Sequence, residues 1–346
     1  MRERLRIAVL GASGYTGADL VRLALGHPRL EIAALAGNAR AGQAMGEIWP
    51  HFAAHPGLPR LERTDAIDFD ALDIVFGCLP HAAGAELLAG IRGARVIDLS
   101  ADFRLQDAAQ FAEWYGVPHP APHRLAEAVY GLTELRRAAL GSARLVACPG
   151  CYPTAALLAL LPLAEAGAIA PDGIAIAALS GVSGAGRGLK EANLFCELAE
   201  SASAYGVGRH RHMPEIEQEL GRAFGRPVRV GFTPHLVPMS RGELLTVTVT
   251  LAGAAPGDLR EILAQRYAEE PFVHLLDEGR APSTAMVRGS NHCVLAVFAD
   301  RVPGRALVLA AIDNLVKGSA GQALQNLNAM AGWPETLGLE AAPLFP

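Results

Sequence analysis

Aromatic residues make up only 6% of the 346-residue chain and charged residues 19%, and neither sign of charge gathers into a block. Thirty lysines and arginines against 35 aspartates and glutamates leave a formal net charge of -5, which argues against nucleic acid or an anionic membrane as a principal partner. No repeat or low-complexity tract accompanies the 37 glycines and 23 prolines, so these residues mark the turns of an ordinary fold. Long apolar runs are scarce as well. Leu145 to Ala164 is uncharged and long enough to cross a bilayer, but Pro149-Gly150, Pro153 and Pro162 interrupt it, which fits a buried strand, turn and helix. The charged start, Met1 to Arg6, precedes an apolar stretch too short for a secretory signal, so the expected location is cytoplasmic. Five cysteines outside an export context are expected as reduced thiols, and a single Cys-x-x-Cys pair does not make a zinc site; no metal is expected.

What is present is enough apolar material, 51%, for two domains. Arg6 to Leu10, Leu30 to Leu35, Asp73 to Leu79, Arg95 to Asp98 and Arg144 to Cys148 are short and apolar, as strands buried on both faces are. Amphipathic stretches, Thr16 to Leu25 and His81 to Ile91 among them, lie between, giving an α/β doubly wound parallel sheet of Rossmann type. After about residue 150 the pattern changes. A helical run spans Thr154 to Ala166, a strand Ile174 to Leu179, and Glu243 to Leu251 alternates with period two as a half-buried antiparallel strand does; Val294 to Phe298 and Ala306 to Ala310 resemble it. The expected architecture is a nucleotide-binding domain over 1–150, rejoined by a tail helix from Ile312 to Met330 and hence by 312–346, and an α+β domain over 151–311 with a mainly antiparallel sheet.

Strand Arg6 to Leu10 runs into Gly11-Ala-Ser13-Gly14-Tyr15-Thr16-Gly17 and then a helix, where missing Cβ atoms and free backbone N–H groups admit a phosphate. Past the second strand, where an NAD enzyme places a carboxylate for the ribose, stand Asn38 and Arg40, which suit a 2′-phosphate; NADP(H) is the expected cofactor. Cys151 follows a Pro-Gly turn and stands immediately before the helical run Thr154 to Ala166, so the helix N-terminus favours its thiolate, and it is the best nucleophile in the chain. Its neighbour Cys148 leaves two readings open, a redox partner or a small buried residue at a strand end. Gly208-Arg-His210-Arg211-His212-Met-Pro-Glu215 is the one dense histidine and arginine cluster, able to move a proton near neutral pH and to attract an anionic substrate. Ser180-Gly-Val-Ser183-Gly184-Ala-Gly-Arg187 can form a nest of backbone N–H groups, and Asp98-Leu-Ser-Ala-Asp-Phe-Arg104 follows a strand at the edge where parallel sheets bind ligands.

Taken together, the glycine block Gly11 to Gly17, Asp98 to Arg104, Pro149-Gly-Cys-Tyr-Pro-Thr154, Ser180 to Gly186, His210 to Ile216 and Gly289-Ser-Asn-His-Cys293 resemble, in order and nearly end to end, the N-acetyl-γ-glutamyl-phosphate reductases of arginine biosynthesis, within the aspartate-semialdehyde dehydrogenase superfamily. The resemblance implies Cys151 as the acyl-accepting nucleophile, His210 as acid/base, Arg104 as a contact of the substrate phosphate and Asn291 as a residue near the nicotinamide. Arg211 and His212 join the expected substrate site, and Ser183 and Gly184 the cofactor site. Cys148 departs from the family, which usually has Asn there. A thiolate displaces phosphate from an acyl phosphate, and the thioester formed accepts hydride more readily than a carboxylate. Two alternatives stay open: a related reductase of a carrier-bound aminoadipyl phosphate in lysine biosynthesis, and a non-catalytic dinucleotide or redox sensor. The partners expected are a small acyl-phosphate substrate and further copies of the chain, as a dimer or tetramer.

Overall fold

Seven short strands, apolar because helices cover both faces, form a parallel sheet: β1 (Leu5–Leu10), β2 (Leu30–Ala36), β3 (Leu61–Glu62), β4 (Ile74–Gly77), β5 (Arg95–Asp98), β6 (Val129–Tyr130) and β7 (Leu145–Ala147). Their order is β3-β2-β1-β4-β5-β7-β6, so the winding reverses between β1 and β4, the place where doubly wound sheets bind ligands at strand C-termini. Ala8, Leu10, Val75, Val96, Leu145 and Phe103 pack into the core on one face. The computed structural model describes residues 4–345; Met1, Arg2 and Glu3, on which part of the reading of the charged start rests, and Pro346 lie outside the described residues.

A second sheet is mixed: β8 (Ala175–Gly181), β9 (Ser203–Ala204), β10 (Gly231–Val237), β11 (Glu243–Thr250), β12 (Val273–Leu275), β13 (Cys293–Ala299) and β14 (Arg305–Ile312), in the order β12-β13-β14-β11-β8-β10-β9. β8 pairs with β10 and β12 with β13 in parallel, and the other pairs are antiparallel. Along β11 burial alternates as the sequence does, with Glu243, Leu245, Val247 and Val249 buried. The helix Cys151–Glu165 belongs to the same unit and is buried from Tyr152 to Ala164, so it has no polar face at all.

By packing, the chain separates into Met1–Pro149 with Ser319–Glu340, and Gly150–Gly318 with Ala341–Pro346. Two local expectations are corrected. The segment from Ile312 to Met330 is not one helix: Asp313 ends β14 by accepting from the backbone N–H groups of Leu315 and Val316, a single wide helical turn follows at Val316–Ala320, and the helix runs Gly321–Ala331. The returning segment is therefore shorter than 312–346. The helix expected over His81 to Ile91 is confined to Ala85–Gly90, because Asp102 holds the Ala82 N–H and Ala82 takes a left-handed conformation, φ +61°.

Candidate active site

In the first unit the glycine block closes the end of β1. Gly11 has φ +81°, and a Cβ there would collide with the Cys78 carbonyl oxygen beyond β4, so only glycine lets the two strand ends meet. A Cβ on Gly17 would likewise strike the backbone of Gly11 and Ala12. The helix Tyr15–Gly26 then starts after Gly14 without any side-chain cap, and a Cβ on Gly14 would meet only the Gly11 carbonyl oxygen, at 3.4 Å. This is a cradle open to an anion, with helix N–H groups behind it. Ser13 lies over Gly37 at the end of β2, and Tyr15, next to Thr16, packs on Trp49 with ring centroids 5.6 Å apart.

The short turn Asn38–Arg40 follows β2, and Arg40 is exposed there. Asn38 has a structural task as well: its Oδ1 accepts from the Thr64 N–H and hydroxyl, each at 2.8 Å, which leaves the amide nitrogen as its polar end for a ribose or phosphate. These residues fit a 2′-phosphorylated dinucleotide: a cradle for the pyrophosphate and a free-standing guanidinium beyond the second strand.

Arg104 does not stand free in the same way. It is buried, its Nε donates to the Cys148 carbonyl oxygen at 2.8 Å and a terminal nitrogen to Leu99 at 2.9 Å, so it braces the end of β7 against the loop after β5. Cys148 is buried in this unit with Asn326 Nδ2 at 3.5 Å from its sulfur, and burial pushes its thiol up to about 12. That environment is the one expected of an inert strand-end residue.

In the second unit, Cys151 is the first residue of its helix, following Gly150 as an N-cap without a side-chain cap. The sequence placed the helix start three residues later; the earlier start aims the N-terminal N–H groups at the Cys151 segment more directly. Glu215 accepts the Gly150 N–H at 2.9 Å, and the Thr154 hydroxyl donates back to the Gly150 carbonyl at 2.9 Å, so the turn is held from two sides. Gly318 lies against Cys151: a Cβ there would come within 2.7 Å of the Cys151 Cβ.

His210 stands among Tyr152, Tyr205 and Phe232, with ring centroids 5.7, 5.4 and 5.2 Å away. The Tyr152 and Tyr205 hydroxyls are 2.9 Å apart. His212 packs edge-on against Tyr152, and its N–H donates to His210 Nδ1 at 3.2 Å. Because Nδ1 is an acceptor, the neutral His210 ring carries its proton on Nε2. Burial first, and the charge of Arg211 second, lower its pKa to about 4, so it is neutral at neutral pH. Arg211 itself is exposed. Ser183 accepts from Asn314 Nδ2 at 2.9 Å in the turn Val182–Ala185 that contains Gly184, and Asn291 is buried just before β13.

The sequence reading overlooked Glu243, which lies beside Cys151 in this unit. Its signal was present: in the period-two pattern of β11 it falls in phase with Leu245 and Val247, a carboxyl on a core face. It also overlooked Tyr152, Tyr205 and Phe232, which give the histidine its surroundings.

Residues 6–143 match the family described as semialdehyde dehydrogenase, NAD binding domain, and residues 151–314 the one described as semialdehyde dehydrogenase, dimerisation domain. The chain is 54% identical to the N-acetyl-gamma-glutamyl-phosphate reductase of Rhodospirillum rubrum, covering 100% of both chains. It is 52% identical to a probable chloroplastic enzyme of the same name from Arabidopsis thaliana, over 99% of this chain and 86% of that one. Among solved structures, aspartate semialdehyde dehydrogenase II from Vibrio cholerae superposes with a TM-score of 0.73 at 18% identity, covering 95% and 99% of the two chains. Aspartate semialdehyde dehydrogenase with NADP from Candida albicans gives 0.71 at 16%, covering 94% and 99%. At these identities the structural likeness bears on fold alone.

The close approach at Gly318 generates a prediction. Gly318→Ala forces the first turn of the Cys151 helix to move, an overpacking that costs about 1–3 kcal/mol. We expect a lower melting temperature together with a changed rate of Cys151 alkylation by iodoacetamide. Native values of both would contradict the packing described.

Proposed function

The chain belongs to the semialdehyde dehydrogenase family, among the N-acetyl-gamma-glutamyl-phosphate reductases, and from that premise we propose that it reduces N-acetyl-γ-glutamyl phosphate to N-acetyl-glutamate 5-semialdehyde with release of phosphate, using NADPH, in arginine biosynthesis. The observation that carries the reading is the placement of Cys151 as first residue of a buried, uncapped helix, with His210 gathered around the next residue, Tyr152.

Cys151 attacks the acyl carbon, the C–O bond to phosphate breaks, and the acyl group stays on sulfur as a thioester. The helix N-terminus favours the sulfur anion for that attack. When bound, the cofactor supplies the hydride that reduces the thioester carbonyl. The Nε2–H of His210 donates a hydrogen bond to the oxygen of the resulting adduct and shares its proton with it as negative charge develops there, and the proton stays with the ring when the carbonyl re-forms and sulfur leaves. A neutral imidazole suits this, because its single N–H has a defined place to point. The cradle of Gly11, Ser13, Gly14, Tyr15, Thr16 and Gly17 would hold the pyrophosphate, and Asn38 and Arg40 the phosphorylated ribose. Asn291 is assigned to the cofactor on the family resemblance, Ser183 and Gly184 to the cofactor as part of a nest of backbone N–H groups, and Arg211 and His212 to the substrate by the charge and hydrogen bonding of their cluster. Arg104 is assigned to the substrate phosphate on the family resemblance, its braced position making any such contact a rigid one.

We further propose a homo-oligomer built on the second sheet. Ala175, Ala177 and Leu179 of β8 are exposed, and Thr246 and Thr248 of β11 half-buried, on the sheet face opposite Leu245, Val247 and Val249, within the segment matched by a dimerisation-domain family. The fold has no helix, among the described residues, long and apolar enough to cross a membrane, in keeping with a proposed cytoplasmic location.

The direct test is the reaction run backwards: oxidation of N-acetyl-glutamate semialdehyde by NADP, dependent on inorganic phosphate. Cys151→Ser is expected to abolish turnover while leaving fold and NADPH binding in place, and His210→Asn to slow it by about 10²–10⁴-fold, with a smaller effect from His212→Asn. Phosphate-dependent oxidation at near-native rate by the serine variant would sink the assignment. Arg40→Ala should narrow a native preference for NADPH over NADH; equal use of both by the native enzyme would refute the role of Arg40. Sedimentation velocity should show an oligomer that Leu179→Arg with Thr246→Arg dissociates, and a native monomer would reject the interface.

A further inference from the structure

Glu243 is fully buried at the start of β11, and its register places it between Ser180 of β8 and Ile312 of β14. Neither carboxyl oxygen has a hydrogen-bond partner of regular geometry, an uncommon state for a buried acid. The one side chain acting on it as a hydrogen-bond donor is the Cys151 thiol. Core position, absence of ordinary partners and contact with the proposed nucleophile do not describe a structural ion pair. A carboxyl kept only for stability would have an arginine or backbone N–H groups, as Asp313 does with Arg241, Gly289, Leu315 and Val316.

We propose that Glu243 is a catalytic residue, the proton acceptor for the Cys151 thiol; this rests on the reading of Cys151 as nucleophile. As sulfur forms its bond to the acyl carbon, the S–H proton passes to the Glu243 carboxylate and the electron pair of the breaking C–O bond leaves with phosphate, which takes its own proton from solvent. Glu243 keeps the proton while the thioester exists. When the C–S bond of the reduced adduct breaks, the electron pair stays on sulfur and Glu243 returns the proton to it. Oxygen and sulfur are thereby served by different groups: His210 handles the proton at oxygen and Glu243 the proton at sulfur. Each is regenerated once per turnover, and no further reactant is needed.

The charged and titratable groups that act on Glu243 are consistent with this. Burial raises its pKa to about 8, Cys151 acts against that rise and the nearby Asp313 adds to it, while Arg241 is turned to Asp313. Burial holds the phenols of Tyr152 and Tyr205 neutral, and the Glu243 charge adds to that in both. As an acceptor Glu243 must be ionised, so the reactivity of Cys151 rises as pH rises through about 8. The same shift has a stability sign: an acid whose pKa is raised in the folded chain makes the fold progressively less stable as pH climbs from its unfolded value, near 4.5, through 8.

The experiment is the rate of Cys151 alkylation by iodoacetamide against pH in the full chain, with Cys151→Ser as the blank. The native protein should show a rise near pH 8 that Glu243→Gln removes, leaving one thiol ionisation. Turnover by Glu243→Gln should fall about 10²-fold or more, and its melting temperature should lose the part of the native decline that lies between about pH 4.5 and 8. If the glutamine variant does not fold, Glu243→Asp keeps the charge while withdrawing it from sulfur, and is expected to lower turnover while retaining the loss of stability as pH rises toward 8. Native turnover and an unchanged alkylation profile in either folded variant would overturn the role of Glu243. Turnover by Cys151→Ser would instead overturn the reading of Cys151 beneath it.

Discussion

The start of one buried helix constrains most of what the second unit does. Cys151–Glu165 is buried from Tyr152 to Ala164 with only Cys151 partly open at its start, and the chain supplies no side-chain cap at Gly150. What it supplies instead is a sulfur at the first helical position, a carboxylate from Glu215 on the N–H just before it, and the bare backbone of Gly318 alongside. Each of these serves the fold and the chemistry together. The Tyr152 N–H that a capping serine would have occupied remains to favour an anionic sulfur, and the glycine that admits the cysteine could not be any other residue without moving it.

Around that sulfur, burial does different things to two titratable groups. It lowers His210 to about 4 and raises Glu243 to about 8, in each case favouring the uncharged form. The histidine is thereby a donor with a defined proton position, because Nδ1 is already taken by the His212 N–H. The carboxyl is left with little but the thiol for company. Pairs of groups whose surroundings drive their pKa values apart are the usual means by which one site runs acid and base steps at a single pH.

Much of this was legible in the sequence, for physical reasons that also explain the rest. The first sheet could be read because strands buried on both faces have no polar phase, and the glycine block because strand, turn and helix left no room for a Cβ at Gly11 or Gly17. Cys151 could be read because Pro-Gly before an apolar run fixes a helix start to within a turn. Arg104 shows the opposite case: a lone arginine after a strand reads as an anion contact, and only the fold shows two of its donors spent on Cys148 and Leu99. The tail was read as one helix from Ile312 to Met330, whereas Asp313 breaks it through contacts as distant in sequence as Arg241 and Gly289. Glu243 was hidden by its own strand, whose alternation was counted for its valines and not for the carboxyl that shares their face.

The covalent step is the central claim, and it can be observed without the cofactor. Mixing the full chain with N-acetyl-γ-glutamyl phosphate in the absence of NADPH, then quenching in acid and digesting, should give one acylated peptide, the one containing Cys151, with phosphate released in equal amount. Full turnover of the same preparation with no acyl group on Cys151, or with the acyl group on Cys148, would contradict the account.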